Sequence, residues 1–421
     1  GTRSRGALMS DIFIRIWVAV LTLAAFLFAP FAVLVPKALA ALALIAALAA
    51  LPVYAAVGER LPQVLRWAAF ALAAMLVWAA IDSLWAEFPD QARARLVKLA
   101  FISAVGLFLV AGTLALEQPY RDRIGAALCL GIALALAVMA VDALGNGALR
   151  KAIHDDPAYY GVAGLNRGAT VIVLMVWPAV AWLWQRARDS GKGAVRGAAL
   201  LLIVALISVL LLLESNSAEV AFVVGAVVFV VVVVAPGIAT RGLAALVALG
   251  TMAAPILPIT VLSPNVAYEW VSQISATAVH RIYIWRFVSD RILERRFTGW
   301  GLDASRSIPG ADTYIVQFDR SLPFQPYGEM TALPLHPHNA PLQLWLELGL
   351  PGAALFALLC GGLLLGVARG LPRRLPAAAA SAAILVAVAL SSFSYGVWQT
   401  WWLAALWLAA AMTTVLLVGR K

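Results

Sequence analysis

Two histidines one residue apart, His336 and His338, open the stretch HPHNAPLQLWLELGLPG at 336–352. Asn339, Gln343 and Glu347 follow in a run that is otherwise apolar. An imidazole, whose ordinary pKa is about 6.5, can take a proton from a hydroxyl at neutral pH. Upstream, HRIYIWRFVSDRILERRF at 280–297 carries Arg281, Arg286, Arg291, Arg295 and Arg296. Guanidinium forks match the oxygens of a diphosphate. A base beside arginines suits group transfer away from a diphosphate: the acceptor hydroxyl loses its proton to histidine while arginines stabilise the departing charge. Other chemistries lack their residues. The chain has no Walker motif, no HExxH, no cysteine-based zinc pattern and no Asp-x-Asp pair, and Asp155-Asp156 is adjacent rather than spaced. His336-x-His338 lacks further ligands for a metal. No metal site and no cofactor is therefore assigned.

Helices must position these groups. Asn339 is a natural N-cap and Pro341 suits a first turn, so a short helix is expected over 340–348. Gly349 and Pro351 should then break or kink it before the next apolar run. Asn339, Gln343 and Glu347, spaced by four, share one face. That face is either an N-cap with a polar stripe packed on the loop, or a set that orients His338 or sugar hydroxyls. Ile282, Trp285, Val288, Ile292 and Phe297 recur at roughly helical spacing, which predicts an amphipathic helix lying at the outer membrane surface. Trp285 reads as its anchor, and its outer arginines read as attraction to anionic lipid or lipopolysaccharide. Gly299 and Gly301 suit a turn.

The setting is a membrane. The 421 residues are 63% hydrophobic and 12% charged, against about a quarter charged in soluble domains. Spans of about 20 apolar residues are expected near 13–35, 38–57, 67–85, 96–116, 124–144, 162–184, 195–213, 219–235, 242–262, 350–368, 376–395 and 398–418. Residues 1–262 would hold spans one to nine, 263–349 a large outer loop with the active-site residues, and 350–421 spans ten to twelve. Basic residues such as Arg66, Arg121, Arg186, Arg188, Arg241 and Arg373 cluster in the loops on one side, which places both termini in the cytoplasm. The net charge of +10 is then an orientation signal rather than a sign of nucleic-acid binding. Trp398, Trp401 and Trp402 would form an aromatic belt at the outer interface. Cys129 and Cys360 sit in apolar runs and read as packing residues. Residues 1–8, ahead of the first methionine, read as an expression remnant. Asp82, Asp142, Glu214 and Glu219 lie near span ends or a turn and form no series through the membrane, which disfavours the alternative of a transporter.

Three of these stretches, in order, resemble the O-antigen ligase/polymerase superfamily of bacterial envelope glycosyltransferases. HPHNAPLQLWLELGLPG is similar to its His-Asn…Leu…Glu-x-Gly signature. Arg281 and Trp285 match an Arg-x-x-x-Trp element, and GWG at 299–301 a Gly-x-Gly element. GLNRGAT at 164–170, with Arg167 inside the sixth span, is a weaker fourth match. Twelve spans with a large loop before the tenth also resemble the ligase architecture. The family's Ser-Arg-Gly between spans seven and eight is replaced here by ESNSAEVAF at 214–222, so no phosphate contact is assigned there. The resemblance implies an all-α, GT-C-like integral membrane protein of about 12 transmembrane helices. It would sit in the bacterial inner membrane with its active site facing the periplasm, under a loop of amphipathic helices. It implies metal-independent, inverting transfer of a glycan from a polyprenyl (undecaprenyl) diphosphate donor to a lipid A–core acceptor in lipopolysaccharide biosynthesis. His338 would be the general base, Arg281 and Arg167 would bind diphosphate, and Asn339, Gln343, His336 and Arg286 would contact substrate. Membrane lipids would be further partners. O-antigen polymerase and protein O-oligosaccharyltransferase of the same superfamily are the alternatives.

Overall fold

A computed structural model describes residues 5–57, 62–155, 161–213, 215–314, 331–371 and 373–418. Asp156 and Glu214, singled out above, lie outside them. The protein is an all-α integral membrane protein. Its long helices are α1 (Arg5–Leu34), α2 (Leu39–Val57), α3 (Gln63–Asp82), α4 (Pro89–Leu114) and α5 (Gln118–Leu144). A short α6 (Ala148–Ile153) precedes α7 (Asn166–Ser190), α8 (Gly193–Leu213), α9 (Asn216–Val234) and α10 (Pro236–Ala253). The outer segment carries α11 (Pro264–Ser272) and α12 (Ala276–Glu294), and α13 (Ala340–Gly370), α14 (Arg374–Phe393) and α15 (Thr400–Leu417) close the chain.

Each of the twelve expected spans overlaps one of these helices, although the ninth, expected near 242–262, is α10 and ends at Ala253. Among the described residues eleven are long and apolar enough to cross a membrane. The twelfth is α2, whose apolar stretch, Pro36–Pro52, is shorter. Helices are forced by the solvent: hydrocarbon offers no hydrogen bonds, so each spanning segment must satisfy its own backbone. Exposed apolar side chains such as Leu134, Val227 and Leu246 then face lipid.

The bundle is built around α7, on which every residue from Gly168 to Trp182 is buried. A helix apolar on all sides belongs in an interior, and α7 packs on α8, α14, α1, α15 and α9. Close approach depends on small residues. A Cβ on Gly131 of α5 would lie 2.1 Å from the Phe26 carbonyl of α1, so this crossing requires glycine.

Two charges read from the sequence as loop or span-end features are structural instead. Arg121, 1% exposed, reaches under the ends of two helices. Its Nε donates to the Leu116 carbonyl (2.8 Å), its Nη1 to Thr414 (3.0 Å) and its Nη2 to Thr113 (3.0 Å). All three lie in the last turns of α4 and α15 or just beyond, where a helix C-terminus runs short of backbone donors. Asp142 accepts from the buried Arg150 side chain and from the Leu149 N–H (2.9 Å), which fixes the start of α6.

Replacing Arg121 with Met keeps much of the stem but removes the side-chain donors to these carbonyls in a dry interior. We expect a loss of roughly 2–4 kcal/mol, since unpaired buried groups cost about 1–3 kcal/mol each and part will be relieved by water. A fall in the thermal unfolding midpoint of detergent-purified protein checks this, and an unchanged midpoint contradicts the clamp.

Candidate active site

The site is organised by a break in α13. Asn339 caps the helix, its Oδ1 accepting from the Leu342 N–H at 3.0 Å. At Gly349 the backbone turns to φ 63°, ψ −160° and the helix restarts in a new direction. The break frees carbonyls that the next turn would have used. Pro351 has no N–H, and the Leu350 N–H turns away to the Arg296 carbonyl (2.9 Å). Each freed carbonyl finds a donor elsewhere. Trp300 N–H donates to Leu346 (2.9 Å), Gly301 N–H to Glu347 (3.0 Å) and the Trp78 indole to Leu348 (2.8 Å). The GWG element is therefore a backbone plug for the kink. Gly299 has φ +71°, and a Cβ there would lie 2.3 Å from the Glu347 carbonyl, so only glycine fits.

The Glu347 side chain, fully buried, ties this plug to the rest of the site. Its carboxylate accepts from the Asp303 N–H (2.8 Å), the Ser305 hydroxyl, the Gln343 amide (3.0 Å) and the Trp398 indole. A carboxylate has about four acceptor sites, and four donors fill them. Gln343 in turn accepts from the Val397 N–H at 3.0 Å. The polar face of α13 thus holds the 302–305 loop and the turn between α14 and α15. The polar atoms of Asn339 Oδ1 and Gln343 bind protein groups here.

That turn presents the Ser394 carbonyl to His338, whose Nδ1 lies 2.8 Å from it. A carbonyl only accepts, so Nδ1 carries the proton and neutral His338 has its lone pair on Nε2. Nε2 makes no hydrogen bond among the described residues. Burial pushes the His338 pKa below the usual histidine range. The Ser394 carbonyl works against this, and the charges of Arg281 and His280 reinforce it. The residue is held at φ 53°, a left-handed conformation that is strained for histidine. The Trp285 indole fixes the preceding backbone by donating to the Pro337 carbonyl at 2.9 Å.

His336 is not separated from its neighbour by Pro337. The two rings lie 4.2 Å apart, centroid to centroid. The His338 N–H donates to His336 Nδ1 (3.1 Å), and the Gln399 side-chain nitrogen lies 3.2 Å from His336 Nε2. Burial, with lesser contributions from His338 and Arg306, drives its pKa down to about 3. His336 is therefore neutral with its lone pair engaged. Tyr395, its hydroxyl 3.0 Å from Thr170 Oγ1, is pushed by burial up to about 12 and stays protonated. Of these groups only His338 offers a free basic nitrogen.

The predicted arginines separate into different places. Arg281 lies close enough to His338 to disfavour its imidazolium, and its own Nε is buried with no hydrogen-bond partner among the described residues. Arg167 falls in the first turn of α7, near the start of the apolar span Val162–Ser190, with its guanidinium 5.7 Å from the Trp401 ring centre. Trp401 donates to Gln399 (3.1 Å), which completes a chain of contacts to His336. Arg286 points elsewhere and pairs with Asp290 at 3.0 Å on an exposed face of α12.

Two expectations fail for one reason. α12 does not lay its apolar face on the membrane surface. Ile284, Val288 and Ile292 are buried against Leu342, Trp345 and Leu346 of α13, while Phe297 is exposed. Nor do Trp398, Trp401 and Trp402 form a lipid-facing belt. Trp398 and Trp402 are buried, and Trp402 donates to Ser391 Oγ at 3.1 Å. In both cases a partner far along the chain offers dry contact and a hydrogen-bond acceptor that lipid does not. Arg95, Asp303, Arg306, Ser394 and Gln399 were missed. Only Asp303 and Arg306 carried a signal, by following the GWG element directly. Among the described residues no group of three or more His, Cys, Asp or Glu is placed to hold a metal ion.

Fold and site thus define a polytopic membrane protein with two largely buried, neutral histidines ahead of the break in α13. Residues 196–357 match the O-antigen ligase family, a stretch that includes Arg281, the GWG element, both histidines and Glu347. The chain is also similar to proteins named "putative polysaccharide ligase". It is 26% identical to that of Rickettsia conorii over 70% of this chain and 68% of the relative. For Rickettsia typhi the figures are 26%, 68% and 66%, and for Rickettsia felis 25%, 80% and 77%. These likenesses support an O-antigen ligase-type protein, and with it a glycosyltransferase-like enzyme.

Gly299→Ala combines a strained backbone with a clash at the Glu347 carbonyl. We expect it to cost roughly 2–4 kcal/mol of stability, the range of backbone strain plus overpacking. Thermal unfolding measures this. Wild-type stability in the variant would show that the plug does not need glycine.

Proposed function

We propose that the protein transfers a glycan from a polyprenyl diphosphate carrier to the lipid A–core acceptor of lipopolysaccharide, on the periplasmic side of the bacterial inner membrane. The observation that carries this reading is the pairing of two groups. Among the described residues, a neutral His338 has no partner at its Nε2 lone pair, and nearby Arg281 has a buried Nε with none.

In the reaction, His338 Nε2 takes the proton of the acceptor hydroxyl as its oxygen forms a bond to the anomeric carbon. The bond from that carbon to the diphosphate oxygen breaks, and the diphosphate leaves with the electron pair. Attack opposite the leaving group inverts the anomeric centre. Arg281, and Arg167 from the first turn of α7, hold the departing charge. A guanidinium already stripped of water interacts strongly with an arriving anion and needs no reorganisation in the transition state. With arginines in this role the transfer proceeds without a divalent metal. The donor's isoprenoid tail stays in the bilayer and reaches the site between helices, since moving its apolar surface into water is costly. Asn339, Gln343 and Glu347 act by holding the site's backbone in place, and His336 by supporting His338.

The test is transfer in vitro with purified protein in lipid, polyprenyl diphosphate-linked glycan, lipid A–core and EDTA. Glycan should move to the lipid acceptor, and His338→Ala should abolish it. Longer carrier-linked glycans alone would instead identify a polymerase, transfer only to protein acceptors a protein glycosyltransferase, and solute flux without transfer a transporter.

The pH dependence follows from the sign of the His338 shift. The base must be neutral, and its pKa is lowered, so kcat/KM should stay level through pH 7. It should fall only as pH drops through a value below about 6.5. Arg281→Gln removes a neighbouring positive charge, which raises the His338 pKa, so the residual activity should lose its acid side at higher pH than wild type. An acid limb that stays in place would argue against His338 as a base adjoining Arg281.

A further inference from the structure

Two cations act on the histidine pair. Arg281 influences His338, and Arg306 influences His336 from the 302–307 loop. Arg306 and Arg95 share one carboxylate. Arg95 binds Asp303 Oδ2 through Nε and Nη2, both at 3.1 Å, and also donates to the Trp398 carbonyl (3.3 Å). Arg306 has only a looser approach, 3.5 Å from Nε to Asp303 Oδ1. Asp303 is itself fixed, because its N–H is held by Glu347. Its carboxylate can balance one guanidinium, and the tight contacts assign it to Arg95. One positive charge therefore remains at Arg306, whose side chain is 47% exposed against 19% for Arg95. No negative group among the described residues besides Asp303 pairs with it.

We propose that Arg306 is a second anion-binding residue. It would take an anionic substituent, phosphate or carboxylate, carried on the acceptor saccharide. The inference rests on the ligase reading above and deepens it. If Arg281 holds the donor diphosphate beside His338, the acceptor hydroxyl must approach the same imidazole from another direction. Arg306 stands beside Asp303 on the loop that Glu347 holds to the site, and an anion fixed there would orient the acceptor toward His338 Nε2. The half-exposed position suits a group that arrives from water, and the fork geometry suits phosphate or carboxylate oxygens. Arg306 is then a specificity-determining residue and takes no part in proton transfer.

The experiment compares native acceptor glycolipid with phosphatase-treated and carboxyl-reduced forms, using wild type, Arg306→Ala and Arg306→Lys in lipid. Wild type should show a KM about tenfold lower for the native acceptor than for one of the two modified forms, the scale of a charge-assisted hydrogen bond. The form that loses affinity identifies the anion as phosphate or carboxylate. Arg306→Ala should raise KM for the native acceptor to the level of that modified form, leave the modified form unaffected and change kcat little. Arg306→Lys should recover part of the difference. An equal loss on all acceptors, or wild type that does not distinguish them, overturns the proposal. Direct binding of the same glycolipids to the purified variants separates it from the ligase reading. Discrimination that Arg306→Ala removes, in protein that transfers no glycan, keeps the anion site and sinks the ligase. Transfer without discrimination does the reverse.

Discussion

The break at Gly349 is the constraint on which the site depends. A helix that ran straight from 340 to 370 would satisfy its own carbonyls and leave nothing for other segments to bind. By breaking, α13 exposes the carbonyls of Leu346, Glu347 and Leu348 within a dry interior, where each must find a donor. The donors come from Trp300, Gly301 and Trp78, so the 299–301 segment and the end of α3 are fixed to the break. The Glu347 side chain then extends the same anchoring to Asp303, Ser305 and Trp398. Unpaired buried groups are expensive, which makes this arrangement rigid rather than merely favourable. The histidine loop inherits that rigidity, because the turn that supplies Ser394 is held through Gln343 and Trp398.

Electrostatics at the site follow from burial. Both histidines are kept neutral by surroundings that resist charge, and neighbouring guanidiniums press in the same direction. Hydrogen bonding then separates two residues that the pKa shifts alone would treat alike. His336 uses its Nδ1 lone pair on the His338 N–H, whereas His338 gives its Nδ1 proton to Ser394 and keeps Nε2 free. The resemblance points to His338 as the base, and the hydrogen bonds leave its Nε2 without a partner among the described residues.

What could be read from the sequence was local. The Asn339 cap, the four-residue spacing of Gln343 and Glu347, and the Gly349–Pro351 break are properties of one helix, and all appear in α13. The helices themselves follow from apolar length. What could not be read was contact between distant segments. Trp285 was taken as a membrane anchor because a tryptophan on an amphipathic helix suits an interface, yet its indole holds Pro337. Trp398 and Trp402 looked like a belt for the same reason, and Arg121 like a loop charge. An aromatic or cationic side chain near a membrane boundary has the same sequence signature whether it faces headgroups or a buried acceptor. The choice is made by which acceptors the fold brings near, and a single sequence does not carry that. Asp303, whose partners are Arg95 and Glu347, is the clearest case: its role is set by residues more than forty positions away on either side.

In the proposed reaction these features couple donor binding to base strength. With the donor absent, Arg281 has no ion pair among the described residues, and its charge lowers the basicity of His338. A diphosphate bound at Arg281 brings negative charge to the same neighbourhood and offsets that effect, so the imidazolium formed on proton transfer becomes easier to hold. The base is then strongest when the leaving group is in place. As the sugar–oxygen bond breaks, negative charge grows on the diphosphate while positive charge grows on His338. The two charges develop together in a medium of low dielectric, where their attraction is largest. Arginine beside a buried histidine therefore fits both halves of the displacement, stabilising what leaves without weakening what must accept the proton.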